Sequence, residues 1–319
     1  MDIVYRGEKI IKSKYSEQMG ENCTETLTTA FTGVLVAINA VSGFLSVTGN
    51  SITLLALYRT PSLKKNTSNF LIASLAFADL TMGLFANSLY VALCGFVSLQ
   101  EVQELKNAET AVWLLTTTAS TFNLCFVAVD RYIAILHPLH YRETITKKRI
   151  LWAAICMWVF AILFSTISFY LSYNDLPKLW IIGSIVTFFL PLTVLLFCYL
   201  RVYNVAKAQN SWWKRHRTFN CPVRAAEELK HRKAAVTFAI ITGLFIVLFL
   251  PTLVVNFLAI LLRGRCHRLR INIAWFWVAA ISYSSSAINP WIYAVRMTDF
   301  RRAIKQTLCS KGVNTSRSV

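Results

Sequence analysis

The chain has 319 residues, 55% of them hydrophobic and 15% charged, at a mean hydropathy of +0.50. Soluble domains carry about 25% charged residues, so a water-soluble globule is excluded. The net charge of +18 would suit a nucleic-acid partner, but the basic residues fall between apolar blocks. They mark orientation in a membrane and contact with anionic lipid instead, and no nucleic acid is expected.

The tail 1–31 is polar and mixed in charge, with no cleavage site after a short apolar run, so the first apolar span is expected to serve as the targeting signal. Crossing ~30 Å of hydrocarbon takes about 20 residues at ~1.5 Å each. Blocks of that length follow at Thr32–Leu57, Ser68–Leu93, Ala108–Ile135, Ile150–Leu171, Leu179–Tyr203, Ala234–Leu262 and Ile271–Val295. In lipid the backbone must satisfy itself within each segment, so these are predicted helices. The fold class expected is an all-α membrane protein, a seven-transmembrane helix bundle over 32–295.

More than twice as many Lys and Arg lie after spans one, three, five and seven as in the opposite segments. The positive-inside rule then puts the N-terminus outside and the C-terminus in the cytosol, as in a multi-pass plasma-membrane protein. Asn22 becomes a usable glycosylation sequon, whereas Asn66 and Asn314 face the cytosol. In the cytoplasmic segment 296–319, Asp299–Leu308 alternates basic and apolar residues at helical spacing, which suits a short amphipathic helix in the inner interface. Cys309 after it is either a palmitoylation site or a plain thiol.

Charged groups inside spans are costly, so each one poses a functional question. Asp79 lies in mid-membrane, with Asn50, Ser120, Ser285 and Asn289 at matching depth. They form a polar network that holds the bundle, to which a sodium ion can be added. Asp130-Arg131-Tyr132 closes span three, where adjacent Asp and Arg can pair in one state and separate in another; the plainer reading is an interfacial anchor. Pro191, Pro251 and Pro290 each interrupt a span, and a proline there removes a backbone hydrogen bond and kinks the helix.

Taken in order, these residues resemble the rhodopsin family of G-protein-coupled receptors over nearly the whole chain. The matching elements are Gly49-Asn50, Leu75-Ala76-Phe77-Ala78-Asp79, Asp130-Arg131-Tyr132 with Pro138-Leu139, Trp158, Pro191 with Tyr199, Pro251, and Asn289-Pro290-Trp291-Ile292-Tyr293. The resemblance implies a ligand bound among the outer helix halves, with span six swinging outward. Arg131 then leaves Asp130, Tyr199 and Tyr293 move inward, and a cleft opens for a heterotrimeric G protein that Leu139 contacts. No catalysis is implied.

Departures from the family pattern narrow the reading. Lys106 stands where the family places a bridging cysteine, so a Cys23–Cys266 disulfide is the alternative outer staple. Phe249 replaces the usual tryptophan of span six, and Ser285 a usual asparagine, which weakens the case for sodium. Trp113 occupies the position of the aminergic aspartate and Tyr283 that of the opsin lysine, so amines and retinal are both set aside. Thr117 and Asn256 match adenosine receptors, while the missing bridge and short second outer loop are melanocortin-like. The adenosine and melanocortin branch, with a purine, lipid or peptide ligand, is therefore the expectation. The basic run Arg263, Arg265, His267, Arg268 and Arg270 fits either an anionic ligand or lipid headgroups, and Trp275, Phe276 and Trp277 read as an interfacial belt. A seven-helix protein that binds ligand without coupling is the alternative. A transporter is disfavoured, because neither repeats nor paired broken helices are visible.

Overall fold

The computed structural model describes residues 29–309 apart from 97, 100–101, 171–180, 216–221 and 263–264. Seven helices long and apolar enough to cross a membrane follow one another. They are α1 (Thr29–Arg59), α2 (Asn69–Gly95), α3 (Gln103–Leu136), α4 (Lys147–Tyr170), α5 (181–215), α6 (Pro222–Leu261) and α7 (265–296), with α8 (Thr298–Cys309) behind them. The expected spans are all present. The basic stretch Lys207–Arg232 between spans five and six, expected as an inner loop, is largely a helical continuation of α5 and α6. The expected second outer loop, Asn22 and Cys23 lie outside the described residues.

α3 forms the axis of the bundle: 72% of its most apolar window is buried, against 28% for α1 and α6. That burial explains its composition. Thr116, Thr117, Thr118, Ser120, Thr121 and Asn123 are all buried on it, small polar residues that let neighbouring helices approach closely. Elsewhere the apolar side chains turn outward, as Phe44, Trp152, Leu163, Val247 and Phe257 do, because in this protein the outer surface meets hydrocarbon.

The prolines act as their chemistry dictates. Pro290 has no N–H for the carbonyl of Ser286, one turn back, and that carbonyl accepts a hydrogen bond from Asn50 Nδ2 at 3.1 Å instead. α7 also breaks at Ser284, between the helical pieces Arg265–Tyr283 and Ser285–Arg296. Just before Pro191, α5 widens into a π-turn at Ile185–Phe189, and α2 carries a second at Met82–Ala86. The sequence pattern announced neither widening, since π-turns leave the apolar period almost unchanged.

Met297 adopts an extended backbone and ends α7. α8 then runs as the predicted amphipathic helix, with Phe300 and Ala303 buried and Arg301, Arg302 and Lys305 exposed. Cys309 is its last residue.

Candidate functional site

Three groups of polar residues lie along the bundle, one at each end and one in the middle. At the end where α3 finishes, Arg131 Nε donates to Asp130 Oδ2 at 2.8 Å, and the guanidinium and carboxylate form a salt bridge that is nearly fully buried. Ser68 Oγ donates to Asp130 Oδ1 at 3.1 Å and accepts from Arg131 Nη2 at 2.6 Å. Tyr141, on the short helical turn Tyr141–Thr144, donates to the same Asp130 oxygen at 2.9 Å. Burial, then the Asp130 charge, pushes the Tyr141 phenol up to about 12. The pair expected from sequence is thus a cluster of four residues, and neither Ser68 nor Tyr141 was legible.

This cluster borders a cleft of about 840 Å³ between the ends of α1, α2, α3, α6, α7 and α8, lined also by Lys233, Thr237, Arg296 and Arg302. Arg296 Nε donates to Thr237 Oγ1 at 3.4 Å, tying α7 to α6 across it. Tyr132 packs beside Phe197. Tyr199 contacts Thr242 Oγ1 on α6 at 3.4 Å. Tyr293 is fully buried between Phe238 and Phe300, and its hydroxyl has no hydrogen-bond partner among the described residues. Leu139 is 78% exposed at the same end.

In mid-bundle, Asp79 Oδ2 accepts from Asn289 Nδ2 at 2.7 Å and Oδ1 from Ser120 Oγ at 3.5 Å. Ser46 Oγ donates to the Asp79 carbonyl at 2.8 Å, and Asn50 Nδ2 donates to the Ser46 carbonyl at 2.9 Å. The further hydroxyl reaching the Asp79 carboxylate is that of Ser286. Ser285, expected in that role, lines the adjoining cavity of about 10 Å³ without a hydrogen bond to Asp79. Ser286 and Ser285 stand 3 and 4 residues before Asn289, so helical spacing admits both, and only the docking of α7 against α2 selects Ser286.

Toward the other end, Trp113 stacks on Phe249 with centroids 6.5 Å apart, and Phe249 stacks on Phe245 at 4.3 Å. Trp113, Thr117, Phe249 and Asn256 line one cavity of about 20 Å³ with Thr187 and Phe188, so four of the five expected pocket residues share a site. The fifth, Tyr283, faces a different group. Its hydroxyl donates to the carboxylate of Glu109, and its ring meets Tyr90 edge-on at 5.2 Å. Glu109 went unnoticed in the sequence because it follows Glu104 and Lys106 and reads as flanking charge.

Trp275 and Phe276 are not simply a belt. Trp275 meets Trp113 edge-on at 6.4 Å, and the Phe276 carbonyl accepts from Tyr90. Cys266 is disulfide-bonded, whereas Cys94, Cys125, Cys156 and Cys198 are free.

Fold and site together define a seven-helix membrane protein of the receptor class. The chain belongs to the rhodopsin family of seven-transmembrane receptors, whose model matches residues 49–293, and such receptors are not enzymes. Its relatives include the Histamine H2 receptor of Homo sapiens, 29% identical over 308 residues, covering 88% of this chain and 80% of that protein. The Histamine H2 receptor of Canis lupus familiaris is 30% identical over 284 residues, 82% of this chain and 76% of that protein. The 5-hydroxytryptamine receptor 4 of Rattus norvegicus is 27% identical, covering 86% and 76%. These relatives are named for amines, and they do not support the expected adenosine and melanocortin branch or the setting aside of amines. The setting aside of amines rested on Trp113 alone and left Glu109 unconsidered, while the branch rested on Thr117, Asn256, the missing bridge and the short second outer loop.

Proposed function

We propose that this chain is a plasma-membrane receptor, N-terminus outside, that converts binding of a small molecule at the Glu109 end into G-protein activation at the Arg131 end. The observation that carries it is the closed Asp130–Arg131–Ser68–Tyr141 cluster at the mouth of the cleft. A locked guanidinium beside a large opening is a two-state element, and a ligand shifts it only by binding one state better than the other. The Trp113–Phe249–Phe245 stack leads from the ligand end into α6 just ahead of Pro251, so ligand contact with Trp113 bears on the helix that must move. In the open state Arg131 releases Asp130, Tyr199 and Tyr293 turn toward it, and Leu139 meets the G protein.

The relatives' names bring amines back among the ligand classes, beside the purines, lipids and peptides first expected. Asp79 and its partners hold the inactive bundle as a hydrogen-bonded network, with a sodium ion beside the carboxylate as the alternative to it. Glycosylation at Asn22, palmitoylation at Cys309 and a Cys23–Cys266 bridge complete the reading.

The test is cAMP and calcium in cells expressing the chain, with histamine, 5-hydroxytryptamine, dopamine, adenosine and lysophospholipids, and Arg131→Ala as control. A ligand response or basal signal that Arg131→Ala abolishes is expected. Silence throughout, at confirmed surface expression, overturns coupling in favour of a receptor that only binds.

A further inference from the structure

Glu109 is a carboxylate that the bundle draws inward, with no cation beside it among the described residues. It is half-buried on α3, one turn before Trp113 on the same face. The hydroxyl of Tyr283 donates to it from α7. Among the described residues the salt bridge found is Arg131 with Asp130, so no Lys, Arg or His there pairs with Glu109. Lys106, one turn earlier, is exposed.

Aromatic rings gather on the side of the bundle that holds this carboxylate: Tyr283 bonds it, Tyr90 packs on Tyr283, and Trp113 lies one turn on along α3. Tyr90 and Tyr283 meet edge-on at 5.2 Å, and Trp113 and Trp275 at 6.4 Å. Ring faces beside a lone carboxylate attract an organic ammonium, by cation–π contact and by a charge-assisted hydrogen bond. An inorganic cation is disfavoured, because the rings supply no oxygen ligands beyond the two phenols. Arg270, near the start of α7, is exposed and lies 13 residues before Tyr283, about 20 Å along the helix axis.

We infer that Glu109, with Tyr283, Tyr90 and Trp113 around it, binds the ammonium group of a small organic cation. The ligand's apolar body then lies against Trp113, toward the cavity shared with Phe249 and Asn256. This rests on the receptor reading and adds to it the charge and class of the ligand. Binding replaces the proton of Tyr283 at one carboxylate oxygen or shares the carboxylate with it, and no covalent step is involved.

The experiment reads thermal unfolding of the detergent-solubilised full chain with 1 mM phenethylamine, tyramine or tetramethylammonium, and with uncharged 2-phenylethanol as reference. In the wild type at least one cation is expected to raise Tm by about 3 °C or more, as a ligand at roughly ten times its Kd does, while 2-phenylethanol leaves it in place. Each variant is compared with itself, with and without cation, so a change in its own Tm does not matter. Glu109→Gln is expected to lose the shift, and Glu109→Asp to keep part of it. No shift with any cation, or a shift that survives in Glu109→Gln, overturns the inference. The receptor reading stands or falls separately, on whether an Arg131-dependent signal exists.

Discussion

Gly49 lies against the ring of Pro290, so close that a β-carbon at residue 49 would stand 2.9 Å from two ring carbons. The neighbouring Asn50 fills the carbonyl that the same proline leaves open on Ser286. The Gly49-Asn50 pair is therefore the counterpart of Pro290: one residue lets α1 approach, and the other repairs the hydrogen bond lost. Gly49→Ala is expected to destabilise by about 1–3 kcal/mol, because a rigid ring cannot yield. Gly243→Ala is the control, since nothing lies within 4 Å of a β-carbon there. Asn50→Ala is expected to cost about 1–2 kcal/mol. Thermal unfolding of the solubilised protein checks all three, and equal Tm values for the two glycine variants would refute the packing argument.

The Asp130 carboxylate takes hydrogen bonds from Ser68 and Tyr141 as well as the charge of Arg131. Removing either neutral donor weakens the closed cluster without touching Arg131. Tyr141→Phe deletes one hydrogen bond of about 1 kcal/mol, which raises the open population roughly fivefold. Basal cAMP or G-protein recruitment without ligand is expected to rise accordingly, and to rise for Ser68→Ala as well. The phenol, ordinarily at 10.0, is pushed to about 12. Its raised value means the donor is fully present at physiological pH and is lost only as pH rises through about 12. Basal signal between pH 6 and 8 is therefore expected not to follow Tyr141, and an unchanged basal signal in both variants would show that the cluster does not restrain Arg131.

Helix-length apolar runs made the spans readable, because lipid permits few other solutions. Motif residues such as Asp79, Arg131 and Pro290 were readable because an ionised or kinking residue in a span stands out against its background. Ser68, Tyr141 and Ser286 were not, since Ser and Tyr are unremarkable where they fall and only the approach of another helix gives them a role. Ser285 was preferred over Ser286 for want of the rotational register of α7. Glu109 shows a different limit: three charges in six residues looked like the end of a span, yet α3 begins at Gln103 and carries Glu109 inward. Trp275 and Phe276 failed for the same reason as Ser285, as an aromatic run has no preferred face until its helix is docked.

Asp79 separates the network reading from the ion reading. The cavity beside it measures about 10 Å³, at the lower limit for one water, and Asn289, Ser120 and Ser286 already serve the carboxylate. The expected result is equal thermal stability in sodium chloride and choline chloride at the same ionic strength. Asp79→Ala is expected to cost about 1–3 kcal/mol in both salts by stranding those donors. Stabilisation by sodium alone, lost in Asp79→Asn, would assign the cavity to the ion.

Cys266 is in a disulfide while Cys94, Cys125, Cys156 and Cys198 are free, which leaves Cys23, Cys221 and Cys309 as partners. With the termini oriented as proposed, Cys221 and Cys309 face the reducing cytosol, where such bonds do not persist. Cys23, in the outer tail, is then the partner we propose. A single bond makes the two cysteines act as a unit, so Cys23→Ser and Cys266→Ser are expected to lower stability alike. The loss is about 2–5 kcal/mol, and the double variant should be no worse than either single one. Peptide mapping without reductant gives an independent reading, with the two cysteines expected in one cross-linked species. Additive losses, or a cross-link to Cys221 or Cys309, would break the pairing and with it the assignment of the N-terminal tail to the oxidising side.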